Sequence, residues 1–72
     1  MDSRILEFVF FCVEGIAEKL NKDTVKIYDD LTKKSDLLNS YIVANYDVLH
    51  TQSKEYIVED VIGVMRETGL KV

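Results

Sequence analysis

The chain has 72 residues, with 47% hydrophobic and 31% charged side chains, no Pro, three Gly and a formal net charge of −4. One domain (1–72) fits that length. The acidic balance argues against nucleic acid or an anionic membrane as the main partner, since both are bound through basic surfaces. A single Cys and a single His leave no disulfide and no metal-type Cys or His pair.

Residues Arg4 to Leu20 read RILEFVFFCVEGIAEKL and hold every Phe, the only Cys and an unbroken apolar run from Phe8 to Val13. At about 100° per residue, Ile5, Leu6, Val9, Cys12, Val13, Ile16, Ala17 and Leu20 share one broad side of a helix. Arg4, Glu7, Glu14, Glu18 and Lys19 lie opposite. The run does not alternate as a strand would, and it is too short and too charged to span a bilayer, which takes about 20 apolar residues. Asp2 and Glu7 also spoil the basic start of a signal peptide. The spacing predicts a helix over 3–20, capped by Asp2 or Ser3 and ended by Asn21, which tolerates the left-handed conformation. Phe11 projects away from the core side among Glu7, Glu14 and Glu18, and Phe8 and Phe10 sit at the borders. Either other helices wrap this middle, or Phe10 and Phe11 lie under a partner or a second copy of the chain.

Residues 24–34 form the second predicted helix, capped by Asn21 or Asp23, with Thr24, Ile27, Tyr28 and Leu31 as a narrow stripe. Lys26–Asp30, Asp29–Lys33 and Asp30–Lys34 are i,i+4 pairs that read as a solvated face. The third predicted helix covers 36–49, capped by Ser35 or Asp36. Leu37, Leu38, Tyr41, Ile42, Val48 and Leu49 share its apolar side, with Asn45 in the middle of that side. A buried Asn needs a hydrogen bond, and a nearby backbone is its expected partner. The tight turn at Ser35 gives a helix-turn-helix outline. The would-be recognition helix carries no Lys or Arg, so DNA binding is excluded on chemistry. The fourth predicted helix covers 54–68, capped by Thr51 or Ser53 and ended by Gly69. Its stripe is Ile57, Val58, Val61, Ile62, Val64 and Met65. Gly63 lies off that stripe and is either tolerated or marks close approach of another backbone. The fold class is all-α: a compact bundle of four short helices with short connections.

Two stretches carry a family resemblance. One is Phe11-Cys12-Val13-Glu14; the other is Tyr46-Asp47-Val48-Leu49-His50-Thr51 followed by Glu55-Tyr56-Ile57-Val58-Glu59-Asp60-Val61. The chain resembles a small bacterial family of about this length, catalogued only as a domain of unknown function. It departs from that pattern over Asn21–Ser35, where members often carry a Gly before the second helix. The resemblance implies a compact helical protein of the bacterial cytoplasm. Its members are often encoded near proteins that look like ADP-ribosyltransferases, which implies an antitoxin-like or partner-binding role.

Chemistry-bearing residues are few. Cys12 falls on the core side, which disfavours an exposed reactive thiolate. No Gly-rich phosphate loop is present. An enzyme, a cofactor and a metal are therefore not expected. The leading expectation is a protein-interaction module using Phe10 and Phe11 with Glu7, Glu14 and Glu18, either with a partner protein or as a homodimer. The alternative is a small-ligand-binding regulatory domain, its notch lined by Asn45, Tyr46, His50, Tyr56 and Asp60. In the plainer reading of that region, Thr51 caps the last helix and His50 bonds a backbone carbonyl or a carboxylate such as Asp60.

Overall fold

The computed structural model describes residues 2–72. Helix α1 runs Ser3–Leu20, as the periodicity predicts. Asp2 starts it, its carboxylate accepting from the Arg4 amide at 2.7 Å. Asn21 ends it with a left-handed φ of 54°, while the Lys22 amide reaches back to the Ala17 carbonyl at 2.9 Å. These bonds satisfy backbone groups that a helix end leaves open.

Helix α2 spans Thr24–Thr32, two residues shorter than predicted. Asp23 caps it through a 2.7 Å bond from the Val25 amide. Its end closes early because the Lys33 and Lys34 amides both turn onto the Asp29 carbonyl, and the Ser35 hydroxyl donates to the Asp30 carbonyl at 2.8 Å. The three predicted ion pairs form, at 3.2, 3.6 and 3.7 Å. The face they share is not wholly solvated, however. Asp30 is buried with Ile27 and Leu31, held between Lys26 and Lys34, whereas Thr24 and Tyr28 of the predicted stripe stay exposed.

The third helix is broken. Leu38–Val43 forms a π-helix and Tyr46–Leu49 a single turn, α3. The Ala44 amide reaches five residues back to the Asn39 carbonyl at 3.3 Å. At Asn45 the backbone leaves helical geometry, with φ −106° and ψ 16°. Its side-chain amide donates to the Tyr41 carbonyl at 2.7 Å, alongside its own backbone N–H at 3.0 Å. Asn thus satisfies the predicted need for a partner by turning onto the backbone of the preceding turn, which is how such side chains compete with helix bonds. The break also re-aims the next turn of chain: Leu49 is buried, but Val48, predicted on the apolar side, is 64% exposed.

Helix α4 runs Lys54–Glu67. Ser53 caps it, accepting from the Tyr56 amide at 3.2 Å. Thr51 instead donates to the Val48 carbonyl at 2.7 Å and so closes the end of α3. Gly69 ends α4 with φ +91°, and the Leu70 amide bonds the Met65 carbonyl at 3.0 Å.

No strand occurs among the described residues. Helix α1 is the axis of the bundle: α2, the π-helix and α4 all pack on it. Val9, Cys12, Ile16, Ile27, Leu31, Ile42, Ile57, Val61 and Met65 form the solvent-free centre. Helices α1 and α4 approach closely at Gly15, where an added Cβ would lie 2.7 Å from Val58 Cγ2. Gly63 has nothing within 4 Å of that position. Of the two alternatives for Gly63, tolerance is the one realised, and the close-approach glycine is Gly15.

Candidate functional site

The outer side of α1 carries the residues of interest. About 100° per residue places Glu7 and Glu14 between Phe10 and Phe11 on the helix surface. The two Phe side chains therefore diverge across an acidic ridge. Phe10 is 50% exposed and Phe11 40%.

On the Phe11 side, aromatic rings run on from one element to the next. Phe11 stacks on Phe8 at 6.3 Å between centroids. Phe8 meets Tyr46 edge-on at 5.3 Å, and Tyr46 stacks flat on His50 at 4.6 Å with 14° between the planes. Such separations suit both offset-stacked and edge-to-face packing. Two predicted sites thus join: the Phe11 surface and the Tyr46–His50 part of the notch form one aromatic run across α1 and α3. The sequence hinted at this through Phe8 at a helix border, but nothing in it placed Phe8 against Tyr46.

On the Phe10 side lies a groove of about 360 Å³ between α1 and α2, lined by Phe10, Val13, Glu14, Thr24, Val25 and Tyr28. Val25 is 66% exposed there. Leu6, also exposed, sits one turn before Phe10 on the same side of α1.

Glu7 and Glu14 form no ion pair among the described residues, whereas Glu18 pairs with Lys54 at 3.8 Å and Lys19 with Glu59 at 3.8 Å. Those two pairs span a second groove, of about 550 Å³, between α1 and α4 over Gly15. Four of its five charged side chains are matched within the chain; Glu55 forms no ion pair among the described residues.

The rest of the predicted notch divides. Asp60 does not meet His50: its carboxylate accepts from the Tyr41 hydroxyl at 2.5 Å. That bond ties the π-helix to α4. Chiefly through it, and secondarily through burial, the Tyr41 phenol is pushed up to about 12. Tyr56 lies one helical turn from Asp60 on the same side of α4 and is exposed. Asn45 is occupied by the Tyr41 carbonyl. His50 is exposed and makes no side-chain hydrogen bond among the described residues; stacking on Tyr46 is its one specific contact. Sequence reasoning missed Tyr41 as a polar group, because its spacing marked it as core.

Cys12 is fully buried, and desolvation pushes its thiol up to about 12. Among the described residues, no three or more His, Cys, Asp or Glu side chains gather to hold a metal ion. No helix among them is long and apolar enough to cross a membrane.

Residues 7–68 match the family described as "Protein of unknown function (DUF3791)". The chain belongs to that family. The matched span takes in both aromatic sides of α1, the π-helix, and α4 up to its end. No curated protein matches the chain, and no solved structure does.

Proposed function

We propose that the chain is a non-enzymatic protein-interaction module that binds a basic segment of a partner protein. The carrying observation is the outer side of α1, where Phe10 and Phe11, each about half exposed, flank Glu7 and Glu14, which lack counter-ions among the described residues. Exposed apolar anchors beside charge are the makings of an interface. The uncompensated carboxylates select for cations, and aromatic faces accept Arg or Lys as well. Several features weigh against catalysis. The one thiol is buried and held neutral, and the one imidazole lies flat on Tyr46 with no carboxylate bonded to it. The family resemblance adds an antitoxin-like role toward a bacterial neighbour protein as the biological setting.

A homodimer through Phe10 and Phe11 is the weaker form of the same reading. A twofold axis there sets Glu7 and Glu14 against their own copies, in a chain that already carries −4. The test is affinity capture from the native host with wild type and Phe11→Ser. The expected result is a basic protein retained by wild type, released as salt rises, and lost with Phe11→Ser. Recovery of the chain alone at physiological salt contradicts the proposal.

A second reading keeps the Tyr46–His50 stack as a ligand platform, favoured by the exposed His50 ring lying flat on a half-buried Tyr46 beside Phe8. A thermal-shift screen against nucleotides and metabolites tests it, because a ligand that binds only the folded state raises the midpoint.

A further inference from the structure

We infer that the α1/α2 groove is the seat of an amphipathic helix from the partner, with an apolar stripe that covers Phe10 and Val25 and two cations spaced to meet Glu7 and Glu14. This rests on the interaction reading and names its partner.

Three observations carry it. The groove is a distinct concavity of about 360 Å³ with a mainly apolar lining, at the low end of the size range for binding sites. Phe10, Val25 and Tyr28 in its lining are exposed large side chains of two adjacent helices, and Leu6 extends the same strip. An apolar groove between two helices receives a third through anchors at i, i+3, i+4 and i+7. The third observation is charge. Glu14 lines the groove on the α1 side, Glu7 lies two turns earlier on the same ridge of α1, and neither forms an ion pair among the described residues. They are seven residues apart on one helix, which is about 10.5 Å at 1.5 Å per residue. Two Lys or Arg seven positions apart on a partner helix match that rise.

A second copy of this chain does not fit the same description. Its own α1 offers carboxylates at that spacing, and Lys26 and Lys33 of its α2, seven positions apart, are already paired with Asp30 and Asp29. The α1/α4 groove is larger, but the Lys54–Glu18 and Lys19–Glu59 pairs cross it and leave only Glu55 of its charges without a partner among the described residues.

The test uses synthetic probes and the intact chain. One stapled helical peptide carries Leu at i, i+3, i+4 and i+7 and two flanking Lys seven positions apart. A second has Glu in place of both Lys. A third keeps the Lys and scrambles the Leu. Binding is read by fluorescence anisotropy at physiological salt to wild type, Val25→Asp and Phe11→Ser. Val25→Asp keeps the fold, because position 25 is 66% exposed and in the first turn of α2, where an acid suits the helix dipole.

The expected result is binding of the first peptide, with the second and third at least about tenfold weaker. Val25→Asp weakens the first by at least about tenfold even though it makes the protein more acidic. Diffuse electrostatic attraction gives the opposite sign, and unchanged or tighter binding to Val25→Asp overturns the inference. So does failure of the first peptide to bind. Sedimentation showing a wild-type dimer that Val25→Asp dissociates overturns it too, since the occupant is then a second copy. If Phe11→Ser loses the native partner while Val25→Asp keeps it, the groove assignment fails and the interaction reading stands. If neither variant loses it, both fail.

Discussion

Gly15 and Gly63 are both interior helix glycines, and the bundle predicts that they respond to alanine in different ways. Relative to Gly, Ala in a helix interior gains about 1 kcal/mol from propensity and backbone entropy. At Gly63 nothing lies within 4 Å of the new Cβ, so the full gain is available. With about 4–8 °C per kcal/mol for a domain of this size, Gly63→Ala raises the melting temperature by several degrees. At Gly15 the same gain meets Val58 Cγ2 at 2.7 Å. Carbon atoms prefer about 3.5–4.0 Å, so roughly 1 Å must be found. Val58 is buried and β-branched, with one strongly preferred rotamer in a helix, so α4 must shift. Overpacking of this kind costs about 1–3 kcal/mol. The propensity terms cancel between the two variants, and the gap between them reports the strain alone. Gly15→Ala should melt at least about 4 °C below Gly63→Ala. Chemical denaturation of both, together with Gly15→Ala/Val58→Ala, checks this. The double variant should recover about the strain energy as a coupling term. Equal stabilisation by Gly15→Ala and Gly63→Ala refutes the close approach of α1 and α4.

The other expectations are quick to check. Cys12 should react slowly with a thiol reagent in the folded protein and fast in denaturant; fast native labelling means that α1 is misplaced. Cys12 and Tyr41 are both raised to about 12, from ordinary values of 9.0 and 10.0. The unfolded chain therefore ionises first. Their contribution to stability is intact below about pH 9 and is lost as pH climbs toward 12. Denaturation at stepped pH should show alkaline weakening that Cys12→Ala and Tyr41→Phe each reduce; an unchanged slope in both contradicts it. Tyr41→Phe at neutral pH should cost about 1 kcal/mol, low for a bond to a charged group because both partners reach solvent. A neutral Tyr41→Phe means that the π-helix is not tied to α4 through Asp60. Gly69→Ala should destabilise by about 1 kcal/mol, since φ +91° suits only Gly well, and a gain in melting temperature counts against that turn.

Much of the fold was readable because the long helices announce themselves locally. Phe8–Val13 and the residues around it specify α1, while Asp2, Asn21, Ser53 and Gly69 are cap residues whose chemistry acts within a few positions. The break at Asn45 was not readable as a break. Asn in the middle of an apolar side signals a need for a partner, and whether it bends the helix or bonds across it depends on what packs against Leu38 and Ile42. The burial of Asp30 was hidden for a similar reason: its i,i+4 lysines look the same on a wet face as on a covered one. The outward placement of Phe11 followed from α1 alone. Its junction with Tyr46 and His50 did not, because it depends on how α3 folds back over α1 after the break.

The central claim is that the outer side of α1 meets another protein. Site-specific photocrosslinking in the native host tests it most directly, with benzoylphenylalanine in place of Phe11 and, as a control, in place of Gly63. The expected adduct forms from position 11, has a mass other than two copies of the chain, contains a basic protein and is absent from position 63. No adduct at position 11, or one with the mass of a dimer, contradicts it.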